Sequence, residues 1–151
     1  MLLDNYKIPG NDLKVRGTLE LRTEDIAGET SGSDSVEKGT KPKILNVSVK
    51  IPYVMSEDLS DLIAVVQATE GDSRKIYTIT DKTANAAGIR QVQFAENFGW
   101  QEHDSMRQWD VSFTLREYLS NPERAEKRKE SAVPDSSNTE YEKLLGEAEQ
   151  L

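Results

Sequence analysis

His103 is the only imidazole in the chain, and QEHDSM sets it beside Glu102, Asp104 and Ser105. A hydroxyl, an imidazole and a carboxylate give acyl-transfer chemistry when the base polarises the nucleophile and the acid orients the base. Such triads are assembled from positions far apart in a chain, so adjacency in sequence does not indicate one. His103 is expected in a solvated loop between strands. GETSG, residues 28–32, falls short of a nucleophile elbow because Ser31 stands one place too late. SVEKGTK has a glycine and a lysine but lacks the Gly-Lys-Ser/Thr ending that holds nucleotide phosphates and magnesium. Asp34, Glu37, Asp72 and Asp81 show no calcium-loop spacing and read as solvated charge. No catalytic residue, metal site or cofactor is expected, and the chain is read as a non-enzyme.

Other side chains narrow the partners. With no cysteine there is no disulfide, thiolate nucleophile or zinc–sulfur site, which fits assembly in a reducing cytoplasm. A net charge of −8 opposes contact with phosphate backbones and anionic lipid, so neither nucleic acid nor membrane is an expected partner. Arg124, Lys127, Arg128 and Lys129 alternate with Glu123, Glu126 and Glu130 at helical pairing distances, a solvated helix more than a nucleic-acid arm. Asn46-Val47-Ser48 fits a glycosylation acceptor, but it opens a predicted strand and is incidental. MLLDNYKIPG lacks the basic front and apolar run of a secretion signal, and no stretch reaches the roughly 20 apolar residues of a membrane helix. Neither ordinary export nor bilayer insertion is expected.

The elements that would position any site are largely strands. In LKVRGTLELR, Leu13, Val15, Leu19 and Leu21 alternate with polar residues, predicting a half-buried strand with a bulge at Gly17. Leu45, Val47, Val49, Ile51 and Tyr53 alternate as cleanly, and Pro52 marks where that strand leaves the ladder. Between them residues 27–43, AGETSGSDSVEKGTKPK, read as a long loop, either solvated or ordered against a neighbouring subunit. Residues 56–71 carry Leu59, Leu62, Ile63 and Val66 at helical spacing, with Ser56 as cap, Glu57 and Asp58 in the first turn and Gly71 as the stop. KIYTIT is a short strand, TANAAG a helical turn closed by Gly88, and IRQVQF another strand. Trp109, Val111, Phe113 and Leu115 alternate through MRQWDVSFTLREYL as a core strand.

After Leu119 the chain turns to a charged helix candidate, a linker, and TEYEKLLGEAEQL. There Thr139 and Glu142 have capping-box spacing, and Tyr141, Leu144, Leu145 and Ala148 form one stripe. A helix this short must dock to persist, either on its own domain or on another chain. At 151 residues one core is expected, burying roughly two thirds of the unfolded surface. The fold class is mainly β (α+β): an antiparallel β-sandwich or barrel with one packed amphipathic helix and a helical C-terminal extension. Residues 1–120 form the β-rich core domain, and residues 121–151 the charged helix, linker and docking helix.

Three runs, SGSDSVEKGTKPKILNVSVKI, TANAAGIRQVQF and RQWDVSFTLREYLSNPER, resemble in order and spacing the small baseplate complex proteins of contractile-tailed bacteriophages. The resemblance spans about residues 13 to 124. It implies a tube-like β fold and a structural part at the tube–baseplate junction, present in several copies around the tail axis. The implied partners are tube, sheath and hub proteins and further copies in a ring, six-fold by analogy with such tails. The implied location is the virion, assembled in the host cytoplasm. It transfers no catalytic residue. Lys38, Lys41 and Lys43 in the long loop, and Tyr141, Leu144 and Leu145 in the tail, are the candidate inter-subunit contacts. Net acidity predicts a basic surface on at least one partner. The competing reading is a soluble assembly adaptor or chaperone that binds one partner through the C-terminal helix.

Overall fold

A computed structural model of the chain describes residues 1–25, 35–120 and 122–126. A first unit runs Met1–Leu119, and Ser120 opens a second. In the first unit the two clean alternations lie side by side in the middle of the sheet. Strand β6 (Ile44–Pro52) pairs antiparallel with β11 (Gln108–Glu117), Val47 opposite Phe113 and Val49 opposite Val111. Leu45, Val47, Val49, Ile51, Val111, Phe113 and Leu115 are all buried on one face. That is the outcome expected when every second residue is apolar and only one face meets a second layer.

Around this pair the strands β1 (Leu2–Leu3), β2 (Tyr6–Lys7), β3 (Asn11–Thr18), β9 (Tyr77–Thr80) and β10 (Gln91–His103) complete a seven-stranded antiparallel sheet in the order β2-β1-β9-β10-β11-β6-β3. The apolar face is covered by helix α1 (Ser56–Gln67), which buries Leu59 and Leu62 and is held at its end by the Tyr77 hydroxyl donating to the Val65 carbonyl at 2.7 Å. A short helix α2 (Lys82–Ala86) starts on Asp81, whose carboxylate accepts from the Thr83 and Ala84 amides at 2.8 and 3.3 Å. Among the described residues no helix is long and apolar enough to cross a membrane.

The sheet is strongly curled. β2 and β3 stand at opposite ends of the strand order, yet only Ile8, Pro9 and Gly10 separate Lys7 from Asn11. Four Cα steps reach at most about 15 Å, whereas seven strands laid flat put the outer two roughly 29 Å apart. α2 also touches both β9 and β3, which three strands separate in the order. The link is tight: Gly10 has φ +97°, and a Cβ there would stand 2.4 Å from the Lys50 carbonyl oxygen. Only glycine fits.

Several expectations are corrected. LKVRGTLELR is two strands: β3 ends at Thr18 and β4 (Leu21–Asp25) pairs in a separate ribbon with β5 (Ser35–Thr40), which lies within the stretch 27–43 expected to be loop. The apolar stripe therefore stops at Val15, and Leu21 is 70% exposed. The bulge lies between Asn11 and Lys14, where Asp12 takes φ +50°, while Gly17 pairs regularly with Leu45. Helix α1 has Met55 at its N-cap with no side-chain bond and ends at Gln67. Gly71, φ +61°, turns a two-stranded hairpin of β7 (Thr69–Glu70) and β8 (Ser73–Arg74) instead of stopping the helix. Strand β10 runs on to His103, well past the predicted IRQVQF.

In the second unit residues 122–126 are helical. Glu123 Oε2 accepts from the Ser120 amide at 2.9 Å and its hydroxyl at 2.7 Å, which is the returning arm of a capping box. The Thr139 cap and the stripe of Tyr141, Leu144, Leu145 and Ala148 lie outside the described residues.

Candidate interaction surface

At one end of the sheet two turns are fastened together. Pro52, which has no amide hydrogen to give the ladder, closes β6 and leads into a 3₁₀ turn at Tyr53–Met55. Opposite it, β10 ends at His103 and a second 3₁₀ turn spans Asp104–Met106. Arg107 reverses the chain in the left-handed region at φ 51°, and its carbonyl accepts from the Tyr53 amide at 3.0 Å. The Tyr53 hydroxyl donates to Asp104 Oδ1 at 3.1 Å, and its ring lies 4.7 Å from that of Trp109. Partial burial, then the Asp104 hydrogen bond and the charges of Asp104 and Glu102, push the Tyr53 phenol above its ordinary pKa.

This arrangement turns apolar side chains outward. Val54 is 88% exposed, Met106 68% and Met55 48%. Trp100, 54% exposed, stands on the same face of β10 as half-buried Phe98, their rings 5.8 Å apart, where β10 has run beyond its pairing with β9 at Gln91 and Val92. Exposed methionines at a rigid end of a sheet, and an exposed tryptophan further back along it, match the composition of protein-contact patches.

The solvent face of β3, β6 and β11 differs. Its groove is floored by Ser48 and Ser112 and rimmed by Asp12, Lys14, Lys50 and Asp110. Asp12 lies 2.9 Å from Lys50 and 3.4 Å from Lys14, and those hydrogen bonds, Lys50 first, hold its carboxyl below the usual range. His103 ends β10 instead of sitting in a loop; it is exposed and its Nδ1 is 3.1 Å from Ser105 Oγ. Asp104, one of the two carboxylates beside it in sequence, is taken by Tyr53. Among the described residues no group of three potential metal ligands is gathered.

The lysines expected to reach neighbours are placed as follows. Lys38 lies in β5. Lys41 pairs with Glu20 through its ammonium. The Lys43 ammonium donates to the Ala87 carbonyl at 2.7 Å and lies 3.7 Å from buried Glu117, whose other oxygen accepts from the Lys43 amide at 3.1 Å. Tyr141, Leu144 and Leu145 lie outside the described residues. The tip residues Val54, Met55 and Met106 were not singled out by sequence reasoning. The available signal was apolar residues in turns, where polar side chains are usual.

The profile of the family described as Bacteriophage HP1 ORF34 baseplate complex protein matches residues 1–149. The chain belongs to this family. As a member of a baseplate complex family it has a structural role in the phage baseplate and a place in the virion among other tail proteins. A relative described as "Uncharacterized 20.8 kDa protein in lys 3'region", from Haemophilus phage HP1 (strain HP1c1), is 30% identical over 130 residues, covering 85% of this chain and 70% of the relative. For a baseplate protein an outward-facing Val54, Trp100 and Met106 has a ready reason, since neighbouring chains can cover what the fold leaves bare.

Proposed function

We propose that this baseplate protein is a non-enzymatic structural component of a contractile tail, placed at the tube–baseplate junction and acting in several copies through contacts with tube, sheath and hub proteins. The copies form a ring, six-fold by analogy with such tails, assembled in the host cytoplasm. A ring needs two different surfaces on each copy. The observation that carries this reading is the exposed apolar tip of Val54, Met55 and Met106 in a chain of the baseplate complex family. Lys38, Lys41, Lys43, Tyr141, Leu144 and Leu145 remain its proposed inter-subunit contacts, with Lys43 acting through a segment it braces from within.

A tube-like β-barrel or sandwich belongs to the same reading. It is supported by the short β2–β3 link, which forces the sheet to curl. So does a helical C-terminal extension that docks on a neighbour, leaving a core of 1–120 that folds alone.

Quantitative mass spectrometry of purified tails tests the proposal. Stoichiometric amounts of this chain are expected in intact tails, and its absence there would favour a transient assembly adaptor that binds one partner through the C-terminal helix. Removal of residues 134–151 is expected to leave cooperative melting intact while impairing assembly.

A further inference from the structure

We propose that the tip formed by the Tyr53–Met55 and Asp104–Met106 turns is the docking surface for a basic, apolar-centred surface on a different baseplate protein, and not for a second copy of this chain. The inference rests on the structural reading above and names the partner that reading leaves open.

Three observations carry it. The apolar side chains sit on a braced platform: the Tyr53 amide bond to Arg107, the hydroxyl bond to Asp104 and the ring contact with Trp109 tie both turns to the strands beneath. A partner therefore covers Val54 and Met106 without first ordering the turns that carry them, which removes part of the entropic penalty of association. Methionine is also a residue enriched at contact surfaces.

The rim of this patch is acidic. Glu57 and Asp58 lie in the first turn of α1, just beyond Met55 and Ser56, while Asp104 opens the second turn and Glu102 precedes it, all but Asp58 exposed. Arg107 is the basic residue set among them. The same two carboxylates, Asp104 and Glu102, reach Tyr53 electrostatically, so their field extends over the apolar centre. Two copies meeting tip to tip would oppose these carboxylates, an arrangement that interfaces penalise.

Six of the described basic side chains are also already engaged within the chain. Lys14, Lys41, Lys43, Lys50, Lys75 and Arg116 are each turned to a carboxylate of their own chain. With a net charge of −8, the complement is better sought on another protein.

The absence of cysteine permits a direct test. Val54→Cys introduces a unique thiol, which is labelled with a photo-crosslinking maleimide; the labelled chain is assembled into tails lacking the wild-type protein, irradiated and mapped by mass spectrometry. Ser112→Cys, on the solvent face of the sheet, is the control. The expected result is a crosslink from position 54 to a lysine- or arginine-rich segment of a different protein, at several times the control yield. In parallel, Glu57→Lys with Glu102→Lys is expected to lower incorporation into tails about tenfold without altering the melting temperature, whereas Ser112→Lys leaves incorporation unchanged. A crosslink from position 54 to another copy of this chain, to an acidic segment, or to nothing while the chain is present in tails overturns the docking surface and leaves the structural role standing. Absence of the wild-type chain from purified tails defeats the structural role and this proposal together.

Discussion

Strands β6, β11 and β10 carry apolar residues along their whole length, yet the middle of the sheet and its Tyr53 end treat them in opposite ways. Val47, Val49, Val111 and Phe113 are buried under α1, whereas Val54 and Met106, just beyond the last strand pairs, are with Leu21 the three most exposed large apolar side chains among the described residues. The residue types are the same in both places. The second layer differs: Leu59 and Leu62 of α1 close the middle, and the two 3₁₀ turns project past them. In a single chain the hydrophobic effect is satisfied only where another layer arrives, so an apolar residue left bare by a rigid turn points to a layer supplied by another molecule.

A gradient of substitutions along this line can break the comparison. Phe113→Ala, in the covered middle against Phe94 and Phe98, is expected to cost about 3–5 kcal/mol of unfolding free energy by urea titration. A loss below about 1 kcal/mol would show that the middle is not the stabilising core. Trp109→Ala, half-buried and in tilted ring contact with Tyr53, is expected to lie between the extremes at about 2 kcal/mol in the same assay. Asp104→Asn removes a charge and weakens a hydrogen bond at the tip. Tyrosinate absorbance should then show the Tyr53 phenol titrating at lower pH than before, still above its ordinary value because burial is the first cause of the shift. Val54→Ser is expected to change stability by no more than about 0.5 kcal/mol while lowering incorporation into tails. A large stability loss there would mean that the tip belongs to the protein's own core.

A separate titration probes the covered region. Tyr6 is pushed up to about 12 by burial first and then by Asp61 and Asp58 on α1. The folded state holds this proton more tightly than the unfolded one, so its contribution to stability is fully present below pH 10 and is lost as pH rises towards 12. Tyr6→Phe should flatten that alkaline loss in a pH series of melting curves.

How much of this was legible depends on how local the cause is. Period-two burial from Leu45 to Ile51 and from Val111 to Leu115, and the α1 face through Leu59 and Leu62, follow from geometry within one element. The break after Thr18 does not, because alternation in LKVRGTLELR continues unchanged while the pairing partner switches from β6 to β5. The β4–β5 ribbon was hidden for the same reason: SVEKGT lacks an apolar stripe, and its strand character comes from a partner distant in sequence. Gly71 was assigned to a helix end because a left-handed glycine serves a C-cap and a hairpin equally well. The candidate site was the least legible part. Nothing in PYVMSE or HDSMRQ says whether Val54 and Met106 will find cover, since that depends on where α1 stops shielding the sheet.

The Ile8–Gly10 link has a consequence for how the molecule is made. It commits the first residues to both ends of the strand order, with Leu2 pairing to Thr80 in β9 and Asn11 to Lys50 in β6. β6 in turn awaits β11, whose Arg116 meets Ile44. A nascent chain can pair β1 with β2 and β3 with β6 early, but β6 and β10 are joined only once β11 has been synthesised, so completion of the sheet waits on distant encounters of the kind that slow β proteins. A stiff fusion at Met1 would interfere where β1 pairs with β9.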